Sequence, residues 1–355
     1  MSERERWVRP ASQAVIRIPF TKLVGTGNDF VLVDTLQGTP RPGTDLSTRP
    51  VAGRKSGSGS RRLSLRRGTF PGLRWPLLAK ALCDPRHGEG TDGLLVLGPS
   101  RRADVRMRIF NPDGSEAEMC GNGIRCLGWY ANWSRAAGRS MTVETGAGIK
   151  RVAIQNNGLI RVDMGAPRYV GYVPARMLRA PQVQVAHIMD SGVPHLVCWT
   201  EHLEDIDVKR LGRRLRHHPH LPPKGANVDF VELIRVERDV DQKGRLRRER
   251  VTLKMRTYER GVEGETKACG TGAVAAAASY AIPGPYCVTN NPYGGESDLR
   301  QFEIVVRVSG GVLYVSLSAE HFFKKRGLVL GRAFLNGEAH LVSKGIFKLH
   351  GRSPA

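Results

Sequence analysis

The amino-acid sequence predicts a mixed α+β chain built from two similar halves. Three observations carry that prediction. Strand-like apolar runs separated by Gly-rich turns dominate the chain, with few helical stretches among them. A Cys-Gly-x-Gly segment that opens a helical stretch occurs twice, as Cys120-Gly121-Asn122-Gly123 and as Cys269-Gly270-Thr271-Gly272. Around each copy the order is the same: strands, a turn, the Cys-Gly helix, then more strands. We read this as a duplication of topology without obvious sequence identity.

Residues 14–23 alternate as a strand, 24–29 form a Gly-rich turn, and 30–34 form a second strand. Residues 37–72 are rich in Gly, Pro, Ser and Arg with no apolar periodicity, so they read as a long basic loop inserted into the first half. Helical spacing returns over 73–82. A loop (86–93) feeds an apolar strand at 94–97, and the next strand, 105–110, stops at Asn111-Pro112-Asp113-Gly114, which is strong turn chemistry. The first Cys helix then runs to Trp133, followed by short strands at 141–144, 149–154 and 160–164. The second half has strands at 182–189 and 196–199, a basic helical stretch at 206–216, and strands at 227–233 and 251–258. The last of these leads through Glu259-Arg260-Gly261 into the second Cys helix, which is Ala-rich. Strands at 302–308, 312–317 and 340–349 close the chain. The resulting division is a first domain over 14–160, to which the strand at 340–349 returns, and a second over 161–339. The stretch 322–335 has no assigned role.

Lys and Arg number 55 against 33 Asp and Glu, a net charge of +22. The excess is concentrated: 46–80 carries no acid, and 209–220 is a second basic run. No RNA- or DNA-binding motif accompanies either, so solvated charge is the better reading and nucleic acid is not expected as a partner. No apolar run reaches the ~18 residues of a membrane span. The charged segment 1–10 has no signal-peptide core, so a cytoplasmic protein is expected. Six cysteines in a chain this long suggest no disulfide framework, and without a Cys-x-x-Cys pair no structural zinc is expected. Neither a metal nor a cofactor is called for.

A cysteine at a helix start meets unpaired N–H groups and the positive end of the macrodipole, which predicts a lowered thiol pKa and an attraction for carboxylates. Two such thiols facing each other across a substrate carbon can remove a proton from one side and return it on the other, inverting a stereocentre without an imine cofactor. Free cysteines are most often buried apolar fillers, and that reading suits Cys83, Cys126, Cys198 and Cys287. It leaves the paired glycine contexts of Cys120 and Cys269 unexplained. His195 and Glu259 are expected to shift the two thiol pKa values in opposite directions.

Five blocks resemble the diaminopimelate epimerase family, itself similar in plan to proline racemases. They are Thr26-Gly27-Asn28-Asp29-Phe30; Phe110 through Glu116 with Met119 through Cys126; Pro194-His195; Asn227-Val228; and Arg256 through Gly261 with Ala268 through Gly272. The resemblance implies two pseudo-symmetric domains, each a mixed or antiparallel sheet wrapped around a central helix, with the active site in the cleft between them. It also implies a cofactor-independent isomerase that interconverts LL- and meso-diaminopimelate, ahead of lysine and peptidoglycan precursors, and a homodimer. By position, Cys120 and Cys269 become the acid/base pair, with His195 and Glu259 tuning them. Asn28, Asn111, Asn227, Glu259 and Arg260 become ligands of the substrate's polar groups. Gly121, Asn122, Gly270 and Thr271 present helix-start N–H groups to the reacting carboxylate. Where the family often has Gly-Asn-Pro-His, this chain has Gly192-Val193-Pro194-His195, so one ligand amide is missing. The rival on the same scaffold is proline or hydroxyproline racemisation; those relatives usually have His where this chain has Asn122. A nucleic-acid binder on a retired enzyme scaffold is the rival from another class.

Overall fold

A computed structural model describes residues 15–36, 73–240, 242, 246–282, 297–322 and 327–350. The basic insert at 37–72, Cys287 and residues 323–326 of the unassigned stretch lie outside them. In chain order the first elements are β1 (Val15–Gly25), β2 (Asn28–Asp34), α1 (Trp75–Cys83), β3 (Gly93–Gly98), β4 (Val105–Phe110), β5 (Glu116–Ala117), α2 (Gly121–Trp133), β6 (Ser140–Thr145), β7 (Gly148–Ile154) and β8 (Ile160–Gly165). Then come β9 (Arg168–Val173), α3 (Ala175–Leu178), β10 (Val185–Asp190), β11 (Pro194–Trp199), α4 (Val208–Leu215), β12 (Asn227–Val240), β13 (Leu246–Glu259), β14 (Gly264–Thr266) and α5 (Gly270–Tyr280). The chain closes with β15 (Ser297–Val308), β16 (Gly311–Phe322), β17 (Gly327–Leu330), β18 (Ala333–Gly337) and β19 (His340–His350). The fold is sheet-dominated α+β.

The strand order contains a repeat. In the run β19–β1–β2–β3–β4–β6–β7–β8, successive pairings are antiparallel twice, parallel, antiparallel, parallel, then antiparallel twice. The run β9–β10–β11–β12–β13–β15–β16–β18 has the same series. An antiparallel pairing of β8 with β18 joins the two runs. Register makes the correspondence residue by residue. His195 pairs with Asn227 as Phe30 pairs with Gly93, and Asp229 pairs with Thr257 as Leu95 pairs with Ile109.

Each Cys helix lies against the inner face of its own run. Every residue of α5 except Thr271 is buried, and its Ala273–Ala278 stretch lets the sheet close tightly around it. Ile124, Leu127, Tyr130 and Ala131 do the same work for α2, in one core cluster with α5. The outer face of β1–β3 is covered by α1 through Leu78 and Leu82. That of β10–β12 is covered by α4 through Val208, Leu211 and Leu215.

Both Cys segments are delivered by the same device. Asn111-Pro112-Asp113-Gly114 turns the chain, with Gly114 at φ +83° and the Gly114 N–H donating to Asn111 O at 2.9 Å. The short strand β5 then pairs back on β4 and is pinned by a two-pronged Arg108–Glu116 ion pair (2.7 and 2.8 Å). In the second half Arg256 grips Glu265 in the same way (2.8 and 3.0 Å), fixing β14 on β13. In each case the glutamate stands four residues before the cysteine.

Candidate active site

Cys120 and Cys269 are the N-cap residues of α2 and α5, both with extended backbone. Each sulfur accepts a backbone N–H from three residues on, Gly123 for Cys120 and Gly272 for Cys269, both at 3.4 Å. The two helix starts meet. A Cβ placed on Gly121 would lie 3.1 Å from the Gly270 Cα, and one on Gly270 would lie 3.1 Å from the Gly121 Cα. Only glycine at both positions permits this approach, so the sequence places the two thiols' helices nose to nose.

Side chains from both halves tie the junction together. The Asn122 amide donates to Asn28 Oδ1 (2.6 Å) and to the carbonyl of Ala268 (3.2 Å), the residue before Cys269. Asn28 in turn donates to Asp92 (2.9 Å). Arg125, fully buried, donates to Asn122 Oδ1 (2.8 Å), Thr26 Oγ1 (2.6 Å) and Gly121 O (3.0 Å). Behind Cys269, His195 and Asp229 are both buried and share a 2.6 Å contact through Nδ1. Asp229 also accepts from Thr257 (2.8 Å). Asn227 Oδ1 accepts the Arg260 backbone N–H (2.8 Å), and its Nδ2 lies 3.3 Å from His195 Nε2. The Thr271 hydroxyl sits 3.4 Å from the Cys269 sulfur.

Electrostatics corrects one expectation. The helix-start argument predicted lowered thiol pKa values; burial instead pushes Cys120 up to about 11 and Cys269 well above its ordinary value. Removing the thiolate from water costs more than the N–H groups return. Glu259 also does not act in opposite directions on the two sulfurs. Its negative charge adds to the rise at both, which puts its carboxyl within electrostatic reach of both. The Glu259 pKa is itself raised, by burial first and by the nearby carboxylates of Asp229 and Asp92 in addition.

Cys120, Cys269, Asn28, Asn122, Gly121, Gly270 and Thr271 thus come together at one junction. His195, Asn227, Glu259 and Arg260 form its second-half wall. The Asn111 side chain donates to Ser115 Oγ within its own turn (2.9 Å), at the register counterpart of Glu259. Val193 takes the register place that Asn28 occupies in the first half. The sequence reading missed Arg125, Asp92 and Asp229. For Asp229 a signal existed: an acid in the middle of the buried run Asn227-Val228-Asp229-Phe230-Val231 needs a partner. Among the described residues no group of three or more His, Cys, Asp or Glu is arranged to hold a metal ion. The arrangement offers two thiols at touching helix starts, shared carboxyl influence, and neutral amides around them. That set can move a proton to and from one carbon.

Comparison with known proteins bears on which carbon. The family model described as diaminopimelate epimerase matches residues 70–170 and 187–321. The diaminopimelate epimerase of Methanothrix thermoacetophila is 35% identical over 340 residues, covering 93% of this chain and 96% of that protein. That of Archaeoglobus fulgidus is 33% identical over 348 residues, covering 94% and 98%. Among solved structures, a PhzF-family phenazine biosynthesis protein from Bacillus anthracis superposes with a TM-score of 0.59 at 16% identity, over 94% of this chain and 99% of that one. A hydroxyproline epimerase from Agrobacterium vitis superposes at 0.52 and 16%, over 98% and 94%. These two share the fold.

Proposed function

Because the chain belongs to the diaminopimelate epimerase family, we propose that it interconverts LL- and meso-2,6-diaminopimelate by proton transfer at Cα between Cys120 and Cys269. The observation that carries the reading is the contact of the two helix starts at Gly121 and Gly270, which sets one capping thiol on either side of a single junction. In one direction a Cys120 thiolate removes the Cα proton while the Cys269 thiol delivers its own to the opposite face. The reverse direction exchanges the roles. Each turnover leaves the two sulfurs with exchanged protonation states, so the free enzyme resets by proton exchange with solvent.

The Cα–H of an amino acid is a very weak acid, and the developing charge must be stabilised as it forms. The first-turn N–H groups of Gly121, Asn122, Gly270 and Thr271, at the positive ends of two helices, are the groups we assign to the reacting carboxylate. Asn28, Asn111, Asn227, Glu259 and Arg260 are assigned to the remaining polar groups of the substrate, which carries a second amino-acid head. No cofactor takes part in this scheme. We read the two strand repeats as two domains, 14–160 with the last strand and 161–339; the repeated pairing order supports two repeats with β19 in the first, and it favours a boundary after β8, at residue 165, in place of 160. Residence in the cytoplasm, assembly as a homodimer, and a place in the supply of lysine and peptidoglycan precursors complete the reading; their support is the family. Among the described residues no helix is long and apolar enough to cross a membrane.

Turnover of LL-diaminopimelate in deuterium oxide tests the proposal. Deuterium should appear at Cα of the product, and proton retention would refute two-base inversion. Turnover of L-proline in place of diaminopimelate would refute the substrate assignment.

A further inference from the structure

The two halves repeat each other closely enough that differences between equivalent positions carry information. Beneath the first turn of α5, a Cβ on Gly272 would lie 2.5 Å from Asp229 Oδ1. Beneath the first turn of α2, a Cβ on Gly123 would meet Leu95 Cδ2 at 3.0 Å and Ile109 Cδ1 at 3.3 Å. Leu95 and Ile109 are the register counterparts of Asp229 and Thr257, and Phe30 is that of His195. An apolar trio behind Cys120 is therefore matched by a polar trio behind Cys269.

The charge on the polar trio follows from its hydrogen bonds. The Arg260 N–H requires an oxygen, so Asn227 presents Oδ1 to it and Nδ2 to the imidazole. His195 Nε2 must accept from that amide, which leaves the ring's one proton on Nδ1, donated to Asp229. Asp229, an acidic group, thus accepts from two donors, His195 and Thr257, beneath the positive end of α5. The opposite imbalance exists on the other side. Arg125, on α2, is a buried cation whose hydrogen-bond partners Gly121 O, Thr26 Oγ1 and Asn122 Oδ1 are all neutral. Four residues separate Cys269 from the next inward place on α5, and the counterpart of Arg125 there is Val274.

We propose that Asp229 and Arg125 are positioning residues that make the two thiols inequivalent: Asp229 holds Cys269 as the protonated partner, and Arg125 makes Cys120 the thiol that ionises. This rests on the two-cysteine reading above and deepens it by assigning the resting roles. The groups facing Cys269 are Asp229 on β12 and Glu259 at the end of β13, both negative in their ionised forms, with His195 behind Asp229. Those facing Cys120 are Arg125 and the Cys126 thiol on its own helix, and Glu259 across the junction. Since Glu259 acts on both sulfurs, it cannot by itself set the difference. Asp229 adds to the rise at Cys269, whereas Arg125 opposes it at Cys120.

The test uses thiol chemistry without substrate, so its outcome is independent of which amino acid the enzyme turns over. Only the thiolate is alkylated by iodoacetamide, and one unit of pKa changes its population about tenfold. In the unmodified chain at pH 8, peptide mass spectrometry should find Cys120 alkylated before Cys269. In a Cys120→Ala background, Asp229→Asn should raise the rate at Cys269 about tenfold and move its pH profile to lower pH by about one unit. In a Cys269→Ala background, the same substitution should leave the Cys120 profile in place. Cys269 reacting first in the unmodified chain, or an unmoved Cys269 profile in a folded Asp229→Asn variant, overturns the proposal. The unmodified-chain measurement needs no variant, so Cys269 reacting first overturns the proposal even where Asp229→Asn fails to fold, all the more because Cys269 is the more deeply buried thiol. Loss of diaminopimelate turnover in an enzyme that keeps the alkylation asymmetry would count against the substrate and leave this inference standing.

Discussion

Gly121→Ala probes the closest approach in the junction. Its Cβ would stand 3.1 Å from the Gly270 Cα and 3.1 Å from Leu335 Cδ2, inside the 3.4 Å edge of ordinary contact. Leu335 can rotate away, but the Gly270 backbone cannot, so the helix starts must part by a few tenths of an ångström. Overpacking of this kind costs ~1–3 kcal/mol, offset by the ~0.5–1 kcal/mol that alanine gains over glycine in a helix. The net stability loss should stay under about 2.5 kcal/mol. Catalysis should suffer more, because each thiol must reach the same carbon from its own side and a shift of 1 Å can cost ~10²-fold. We expect kcat for LL- to meso-diaminopimelate, followed by chiral chromatography, to fall about tenfold. The paired Gly121→Ala/Gly270→Ala change should fall further. Gly171→Ala, on the exposed edge strand β9 with nothing within 4 Å of its Cβ, is the control. A Gly121→Ala enzyme with unchanged kcat would refute the claim that this contact sets the reacting geometry.

Cys120→Ala and Cys269→Ala should each abolish epimerisation in the same assay, whereas Cys83→Ala, altering a buried thiol at the end of α1, should not. His187 is held neutral in the fold: burial lowers its pKa from 6.5 to about 4, and its Nδ1 shares Ser279 Oγ with Trp199 (2.8 Å each). A depressed base stabilises the fold above its unfolded pKa and loses that contribution as pH falls through the folded value. Thermal stability should therefore drop between pH 6.5 and 4, and drop less steeply in His187→Asn; equal slopes would exclude His187 as the cause. Replacing residues 37–72 by a short Gly-Ser linker should leave turnover intact, and its loss would show that the basic insert contributes to the site.

What could be read from the sequence, and what could not, divides by the range of the interaction. The Cys-Gly-x-Gly helix starts, the Asn-Pro-Asp-Gly turn and the alternating strands are local patterns, and α2, α5 and β4 lie where those patterns put them, while β13 starts five residues earlier, at Leu246. The edge strand β9 escaped notice because Tyr169, Val170 and Tyr172 are all exposed, which erases the alternation that marks a half-buried strand. The two-residue β5 and three-residue β14 exist through pairing and through ion pairs to distant arginines. Arg125 looked like an ordinary polar residue because its partner Thr26 lies 99 positions away, and the partners of Asp229, His195 and Thr257, lie 34 and 28 positions away. The direction of the thiol shifts failed for the same reason. A helix start is visible in sequence, but the depth at which it is buried is a property of the packed core.

The duplication itself explains where the differences fall. Arg108–Glu116 and Arg256–Glu265 are equivalent and alike, as are the two capping cysteines and their glycines; these build the frame that puts one thiol on each side of the junction. Unlike pairs at the site include Asn28 with Val193, Phe30 with His195, Gly93 with Asn227, Leu95 with Asp229, Ile109 with Thr257, Asn111 with Glu259, and Arg125 with Val274. All of them stand at or beside the cysteines or the assigned substrate ligands. A perfectly two-fold site would hold its one proton on either sulfur with equal weight, so nothing would fix which thiol starts ionised. It would also bind either head of a diamino diacid alike on both sides, with nothing to say which end reacts. Symmetry in the frame supplies two matching helix starts; asymmetry in the lining fixes which sulfur carries the one proton and the one orientation that the proposed reaction needs.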